Sequence, residues 1–231
     1  MRHDEARKPF DSRFTNAVIK VGDGRGFIIE QRISTAALKS KLIGKVRLRP
    51  FVKRRLVVTA AHCLPHFPPC HGSSLLEERT YGRLLGTLDA PKRRNVWAEC
   101  LFADPIADIA ILDSPDSQLL GDEADAYDSL TEGASVLRIA EARSGRGWVL
   151  SLEGHWIPTR LEVRSGFGCG SLYIDPTKPG QSGSPILNDA GRAIGVVTLG
   201  RETLDFNTGG RKDERAGPQP MLTRNLPGWL L

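Results

Sequence analysis

The sequence predicts an all-β fold, and its hydrophobic pattern, turn residues and length support this prediction. Hydrophobic residues make up 40% of the 231 positions, and they fall in many short apolar runs rather than in long amphipathic stretches. The 24 glycines and 15 prolines place turn signals between these runs, which is typical of short antiparallel strands. A chain of this length buries about three quarters of its unfolded surface, so its core needs no disulfide or metal.

The first half of the chain is predicted to begin with a charged, mobile lead over residues 1–13. The connection over residues 30–55 is longer than a hairpin needs. It contains a helical turn at 34–39 and an edge strand at 41–49, where basic and apolar residues alternate. The remaining apolar runs predict strands at 14–21, 27–29, 55–63, 81–88, 95–102 and 109–112.

The second half begins after an acidic and polar stretch, which indicates a linker at about 116–134. Residues 201–218 are rich in glycine and charge and predict a mobile loop. Residues 222–231 predict a short terminal helix or strand. The apolar runs between them predict strands at 135–140, 147–152, 156–163, 171–174, 186–187 and 193–199.

Three segments carry side chains suited to nucleophilic catalysis. Ser182 lies between glycines, and glycines allow successive backbone N–H groups to converge on one point. A serine hydroxyl is a poor nucleophile unless a base removes its proton and a third group orients that base. His62 follows an apolar strand and Asp108 precedes one. Each residue alone could be a structural residue, but together they match the needs of acyl transfer.

These segments are Thr-Ala-Ala-His-Cys at 59–63, Asp-Ile-Ala-Ile-Leu at 108–112 and Gly-Gln-Ser-Gly-Ser-Pro at 180–185. In composition and order they resemble the corresponding segments of the chymotrypsin-like (trypsin-like) serine peptidases, and bacterial members in particular. The resemblance implies His62 as general base, Asp108 as its orienter and Ser182 as nucleophile. It also implies an oxyanion hole formed by the N–H groups of Gly180 and Ser182.

The resemblance further implies a fold of two six-stranded antiparallel β-barrels packed side by side. We expect a single peptidase domain over residues 14–231, with the first barrel at about 14–115 and the second at about 135–231. Gln181 stands where relatives activated from a zymogen have an aspartate, and no Ile-Val-Gly-Gly-like start is present. We therefore expect no activation through an ion pair with a new N-terminus.

By the same resemblance, the specificity pocket is lined by two short segments. Pro176 stands where trypsin has the aspartate that selects basic side chains, so the sequence does not support a basic preference. Asp175 could supply that charge only if its loop shifted. We expect a preference for small or medium apolar side chains. The residues assigned to the pocket are Asp175, Pro176, Thr177, Thr198, Leu199 and Gly200.

The four cysteines could form two disulfide bridges or remain reduced thiols, and their number alone does not decide between these alternatives. Secreted relatives tie the cysteine after the catalytic histidine to one near residues 24–27, and no cysteine stands there. The N-terminus is charged and lacks the apolar stretch of a secretory signal, and no window of about 18 apolar residues indicates a membrane span. These features favour reduced thiols at Cys63, Cys70, Cys100 and Cys169 and a cytoplasmic location.

Cysteines and histidines also crowd together over residues 63–71, which raises the alternative of a zinc site. Their spacing matches no common zinc pattern, and the resemblance already assigns the adjacent His62 as the general base. We expect no metal and no cofactor.

The expected partners are a protein or peptide substrate and a regulatory protein. Residues 31–76 contain nine lysines and arginines and no acidic residue, but basic residues also protect edge strands. No aromatic residues are interleaved to stack on bases, and a net charge of +5 is modest, so we do not favour nucleic acid as a partner. The alternative to an active serine endopeptidase is a catalytically silent, peptidase-like module that binds protein or nucleic acid.

Overall fold

The computed structural model describes residues 10–34, 51–69, 76–90, 95–166, 169–173, 177–198 and 219–231. In the N-terminal half it contains helices α1 (Ser12–Thr15), α2 (Leu76–Arg79) and α3 (Gly121–Glu132), a 3-10 turn (Ala61–Cys63), and strands β1 (Val18–Val21), β2 (Gly24–Ser34), β3 (Phe51–Thr59), β4 (Thr80–Gly86), β5 (Val96–Asp104) and β6 (Ile109–Asp113). In the C-terminal half it contains strands β7 (Gly145–Leu150), β8 (Trp156–Gly166), β9 (Cys169–Tyr173), β10 (Pro185–Asn188), β11 (Ala193–Val196) and β12 (Gln219–Pro220), and helix α4 (Leu222–Asn225).

The first six strands close into a barrel in the order β1-β2-β3-β6-β5-β4. The longest pairing joins β2 to β3 from Gly26 opposite Thr59 to Ser34 opposite Phe51. Closure comes from β1 and β4, where Val21 lies opposite Leu85. The barrel holds most of the buried hydrophobic residues, including both Phe27 and Ile28. Since successive side chains point to opposite faces of a strand, β2 is covered on both sides.

The last six strands form a sheet in the order β11-β10-β7-β8-β9-β12. Its two ends meet through one antiparallel bridge between Gly195 and Met221. A smaller apolar cluster fills this half, with Ile186, Ile194 and Met221 at its centre. The predicted all-β fold is confirmed in outline, whereas closure of the second half into a six-stranded barrel stays a prediction.

The segment that we assigned to a mobile lead and a first strand begins instead with helix α1. Asp11 caps this helix, since its Oδ1 accepts the N–H of Arg13 at 2.9 Å. The ring of Phe10 lies 4.7 Å from that of Phe14, 5.7 Å from that of Trp148 and 5.5 Å from that of Trp156, measured between centroids. Phe10 therefore packs against the second sheet, and residues 1–9 of the expected lead lie outside the described residues.

The expected linker contains the 12-residue helix α3. Its first turn carries two acidic residues, which suit the positive end of a helix dipole. Tyr127 is only 1% exposed, and the single proton of its hydroxyl is shared between the carbonyls of Arg55 at 3.1 Å and Leu112 at 3.2 Å. Contacts with the barrel stabilise this helix, and the composition of the segment alone does not reveal them.

The strand that we expected at 135–140 is absent from the described elements, and two isolated bridges replace it. Leu137 pairs in parallel with Ile29 of the barrel, and Ile139 pairs in parallel with Ala193 of the second sheet. The N–H of Leu137 donates to the carbonyl of Ile28 at 2.8 Å. This segment therefore joins the two halves by hydrogen bonds instead of extending one sheet.

Two predictions concern chain outside the described residues, namely the edge strand at 41–49 and the mobile loop at 201–218. The helical turn at 34–39 also falls there, apart from residue 34. Within the described part of the chain, no helix is long and apolar enough to cross a membrane.

Candidate active site

His62 lies in the 3-10 turn that follows strand β3. Ala60 and Ala61, just before it, are fully buried, so only small side chains fit where the chain leaves the barrel wall. The N–H of Cys63 donates to the carbonyl of Ala60 at 3.0 Å, which closes the turn. The imidazole of His62 is about a quarter exposed, at 25%. It can therefore reach both the protein interior and a bound substrate.

Asp108 lies immediately before β6 and has a positive φ of 52°, a left-handed conformation that is uncommon for residues other than glycine. The turn before it is held by Asp104, whose Oδ1 accepts the N–H groups of Ile106 at 2.9 Å and Ala107 at 3.0 Å. This turn aims the carboxylate of Asp108 at the histidine segment.

Three hydrogen bonds join Asp108 to the histidine segment. Its carbonyl accepts the N–H of Ala61 at 3.2 Å, and its Oδ1 accepts the backbone N–H of His62 at 2.9 Å. Its Oδ2 lies 2.7 Å from Nδ1 of His62. Because a carboxylate can only accept, the proton of the neutral imidazole lies on Nδ1. The lone pair of Nε2 is then free to act as a base.

The pKa of His62 reflects two opposing influences. Burial by itself lowers this pKa, because it disfavours the imidazolium. The hydrogen bonds to Asp108 and to Cys63 outweigh the effect of burial and raise the pKa above the ordinary value of 6.5. The site therefore favours a cation on His62, which a base needs once it has accepted a proton.

The segment around Ser182 is a tight turn that requires glycines. Gly180 and Gly183 have φ values of +90° and +80°, in the region that side chains rarely adopt. Ser184 donates its N–H to the carbonyl of Gln181 at 2.9 Å, and Gly183 donates to Val197 at 2.7 Å. No described residue accepts the N–H of Gly180 or of Ser182. Both N–H groups are thus free of partners within the described part of the chain.

Strand β2 brings the histidine and serine segments together. A Cβ atom placed on Gly24 would lie 2.4 Å from Sγ of Cys63 and 2.5 Å from the carbonyl oxygen of Ser182. The next residue, Arg25, donates its N–H to that same carbonyl at 2.7 Å. A Cβ on Gly183 would lie only 1.7 Å from the carbonyl oxygen of Arg25. Both glycines are therefore needed for this close approach.

The described contacts include no hydrogen bond between the hydroxyl of Ser182 and the imidazole of His62. The two residues nonetheless belong to segments that both touch Gly24. In unliganded enzymes such a bond is often long and tightens only when substrate is bound.

Several contacts that surround the serine were not expected from the sequence. Arg25 is a buried residue whose N–H binds the carbonyl of Ser182, and the buried side chain of Gln181 binds the carbonyl of Leu150. Leu152 is 44% exposed, and its Cδ2 would lie 3.5 Å from a Cβ on Gly180. The pattern of the sequence contains no signal for these contacts, since they join residues more than 25 positions apart.

The expected specificity pocket lies largely outside the described residues. Of its six residues, the structure describes Thr177, which is half-buried, and Thr198, which is 5% exposed. Asp175, Pro176, Leu199 and Gly200 are not among the described residues.

The thiols of Cys63 and Cys100 are free and buried. Burial raises the pKa of Cys100 to about 11, so this thiol stays protonated at neutral pH. Among the described residues, no group of three His, Cys, Asp or Glu side chains could hold a metal ion. Cys70 and His71, which prompted the zinc alternative, lie outside those residues.

Comparison with known proteins identifies one family model, that of the trypsin-like peptidase domain, which matches residues 50–196. Among solved structures, the chain is similar to the inactive form of the Rv3671c protease, with 17% identity, 91% of this chain and 86% of that chain covered, and a TM-score of 0.44. It is similar to the active form of that protease from M. tuberculosis, with 17% identity, 88% and 73% covered, and a TM-score of 0.40.

The chain is also similar to the HtrA-type protease AlgW with a decapeptide, with 13% identity, 91% of this chain and 62% of that chain covered, and a TM-score of 0.40. No curated protein matched the sequence.

Proposed function

Because the chain belongs to the trypsin-like peptidase domain family, we propose that it is a serine endopeptidase with the catalytic triad His62, Asp108 and Ser182. The observation that carries this proposal is the pair of hydrogen bonds by which Asp108 holds the backbone and the imidazole of His62. This arrangement fixes the tautomer that a general base requires.

In the first half of the reaction, Oγ of Ser182 attacks the carbonyl carbon of the scissile peptide bond. Nε2 of His62 accepts the hydroxyl proton as the new C–O bond forms. The carboxylate of Asp108, 2.7 Å from Nδ1, stabilises the imidazolium. His62 then gives the proton to the leaving amine, the C–N bond breaks, and an ester joins the acyl group to Ser182.

In the second half, a water molecule attacks the ester while His62 again accepts a proton. Collapse of the tetrahedral intermediate releases the carboxylic acid and returns the proton to Ser182. Every proton transfer in this cycle passes through His62, so no metal or cofactor takes part in the proposed mechanism.

The oxyanion of each tetrahedral intermediate is stabilised by the N–H groups of Gly180 and Ser182. The left-handed conformation of Gly180 and the absence of a described acceptor for either N–H group support this role. One such donor contributes about 3 kcal/mol to transition-state stabilisation.

The substrate is a protein or peptide with a small or medium apolar side chain in the specificity pocket. This part of the proposal rests on Pro176, which leaves its position in the pocket wall without a charge. A scan of peptide substrates that vary only this side chain tests it, and strict cleavage after arginine or lysine would contradict it.

We also propose that the second sheet closes into a barrel, so that the site lies between two barrels.

A fluorophosphonate probe tests the proposed activity, because it reacts with activated serines. The wild-type protein should be labelled at Ser182, and the site of labelling can be identified by mass spectrometry. Ser182→Ala and His62→Ala should abolish labelling, while Ser184→Ala provides a control for the neighbouring hydroxyl.

Two results would favour the alternative of a silent binding module. Absence of labelling in folded wild-type protein would show that Ser182 is not activated. Salt-sensitive binding to DNA without labelling would favour a nucleic-acid-binding protein, because phosphate contacts make affinity depend steeply on salt.

A further inference from the structure

We propose that the side chains of Arg25 and Gln181 form a clamp on the carbonyl of Leu150 that holds the turn around Ser182 in its catalytic conformation. This inference rests on the proposed function, because it concerns the geometry of the oxyanion hole. Both residues are positioning residues, since neither is expected to touch the substrate.

Gln181 uses both ends of its side-chain amide. Its Nε2 donates to the carbonyl of Leu150 at 3.0 Å, and its Oε1 accepts the N–H of Lys178 at 2.5 Å. Its backbone N–H also donates to the carbonyl of Lys178 at 3.1 Å. Gln181 is buried, with 5% of its surface exposed. Its hydrogen bonds fix the position of the turn that contains Gly180. The side-chain amide is neutral at every physiological pH, so these hydrogen bonds do not depend on ionisation.

Arg25 extends the clamp to the first barrel. Its Nη1 donates to the carbonyls of Leu150 at 3.1 Å and Ser151 at 2.9 Å, and its Nη2 donates to that of Leu152 at 3.3 Å. Its backbone N–H donates to the carbonyl of Ser182 at 2.7 Å. One residue of β2 thus binds both the end of β7 and the serine itself.

The guanidinium of Arg25 is buried, and burying a charge costs free energy. Arg25 is 6% exposed, and its side-chain hydrogen bonds within the described residues go to backbone carbonyls. Burial lowers its pKa, and the charge of Glu153 only partly offsets this effect. A buried charge without a bonded counter-ion costs free energy. Hydrogen bonds to the carbonyls of residues 150–152 recover part of that cost.

The geometry places the clamp where it can control the oxyanion hole. Leu152, bound by Arg25, lies against Gly180, and Gln181 stands between the two proposed N–H donors. A displacement of about 1 Å at a reacting centre can lower a rate by about a hundredfold. The clamp should therefore affect turnover more than substrate binding.

The test compares variants that remove the clamp with variants that do not. Arg25→Met and Gln181→Met remove the side-chain hydrogen bonds at similar length. Arg25→Lys keeps a donor and tests for partial rescue. Arg192→Met, at an exposed surface position, controls for loss of an arginine. Tyr127→Phe removes a buried hydroxyl of α3 and controls for loss of stability alone.

Two measurements are made on each variant of the full chain. Hydrogen exchange, followed by mass spectrometry of peptides that cover residues 178–184, reports the order of the turn without requiring activity. kcat and KM for a peptide substrate report catalysis.

Both Met variants should raise exchange in the turn at least tenfold. They should lower kcat by about tenfold to a hundredfold with less than a threefold change in KM. Arg25→Lys should recover part of both losses, and the two controls should match the wild type.

Unchanged exchange in the turn of the Met variants would overturn the clamp, whatever the activity. Equal loss of kcat in Tyr127→Phe would also overturn it, because general destabilisation would then explain the effect. If the wild type hydrolyses no substrate but the Met variants still raise exchange, the clamp stands and the proposed function fails.

Discussion

Asp108 binds His62 at two points: its Oδ1 accepts the backbone N–H at 2.9 Å, and its Oδ2 lies 2.7 Å from Nδ1. The first bond fixes the position of the His62 backbone relative to Asp108, and the second fixes the orientation of the imidazole ring. A single carboxylate thus sets both the position and the basicity of the proposed general base.

This pairing predicts the pH dependence of activity. His62 must be neutral to accept a proton, so kcat/KM should rise as the pH rises through its pKa. Because the bond to Asp108 helps to raise that pKa, the acidic limb of the profile should lie above pH 6.5. The measurement is kcat/KM from pH 5 to 10 with a substrate that does not itself titrate.

Asp108→Asn provides the matched variant for the pH profile. The neutral amide should lower kcat by about 10⁴-fold and shift the acidic limb to lower pH, because the negative charge that favours the imidazolium is gone. An acidic limb that stays in place in this variant would contradict the assigned role of Asp108.

The close approach of β2 to the serine predicts that one methyl group added at Gly24 lowers the activity strongly. Gly24→Ala should lower kcat/KM by about tenfold or more, because the new Cβ would meet the Cys63 thiol and the Ser182 carbonyl. Gly121→Ala is the matched control, since a Cβ there meets no atom within 4 Å. Equal activity of both variants would show that the contact at Gly24 does not constrain the site.

The aromatic cluster around Phe10 predicts a sharp boundary for truncation. Removal of residues 2–9 should leave both activity and stability near those of the wild type. Removal of residues 2–10 should lower the free energy of unfolding by about 1–3 kcal/mol, because a partly buried phenylalanine is lost, while activity at low temperature is retained. Urea denaturation of both truncated proteins measures the difference. Equal stability of the two would contradict the packing of Phe10 against Trp148 and Trp156.

The buried carboxylate of Asp113 forms an ion pair with Arg54, and this pair predicts a pH-dependent loss of stability when Arg54 is removed. Burial raises the pKa of Asp113, and the charge of Arg54 opposes this effect. Arg54→Met should lower the free energy of unfolding by about 3 kcal/mol at pH 7, because a buried charge is left unpaired.

The sign of the pH effect follows from the raised pKa. The folded state then binds more protons than the unfolded state, so the loss should shrink as the pH falls through the folded pKa. Urea denaturation at pH 7 and pH 5 measures this change. Asp113→Asn added to Arg54→Met should restore most of the stability at pH 7, and failure to do so would contradict the assignment.

The family was predictable from the sequence because its signals are local. The segments around His62, Asp108 and Ser182 each span fewer than ten residues, and the resemblance that they carry is confirmed by the family model. The roles of the three residues stay predictions. The six specificity residues were drawn from the same resemblance, and most of them lie outside the described residues.

Other features depend on contacts between distant residues and could not be read from local patterns. Helix α3 has the composition of a linker, and its burial of Tyr127 against the barrel becomes visible only in the fold. The local sequence does not distinguish Gly24 from a turn glycine, and only the fold places it between the histidine and serine segments. Arg25 and Gln181 share an acceptor 125 and 31 residues away, a relationship that no spacing indicates.

The most direct test of the central claim is a proteome-wide cleavage profile of the wild type against Ser182→Ala. The proteins are incubated with a peptide library or a cell extract, and new peptide termini are identified by mass spectrometry. We predict a set of new termini with wild type, mostly after small or medium apolar residues, that is absent with Ser182→Ala. The same termini with both proteins, or none with folded wild type, would contradict hydrolysis through Ser182.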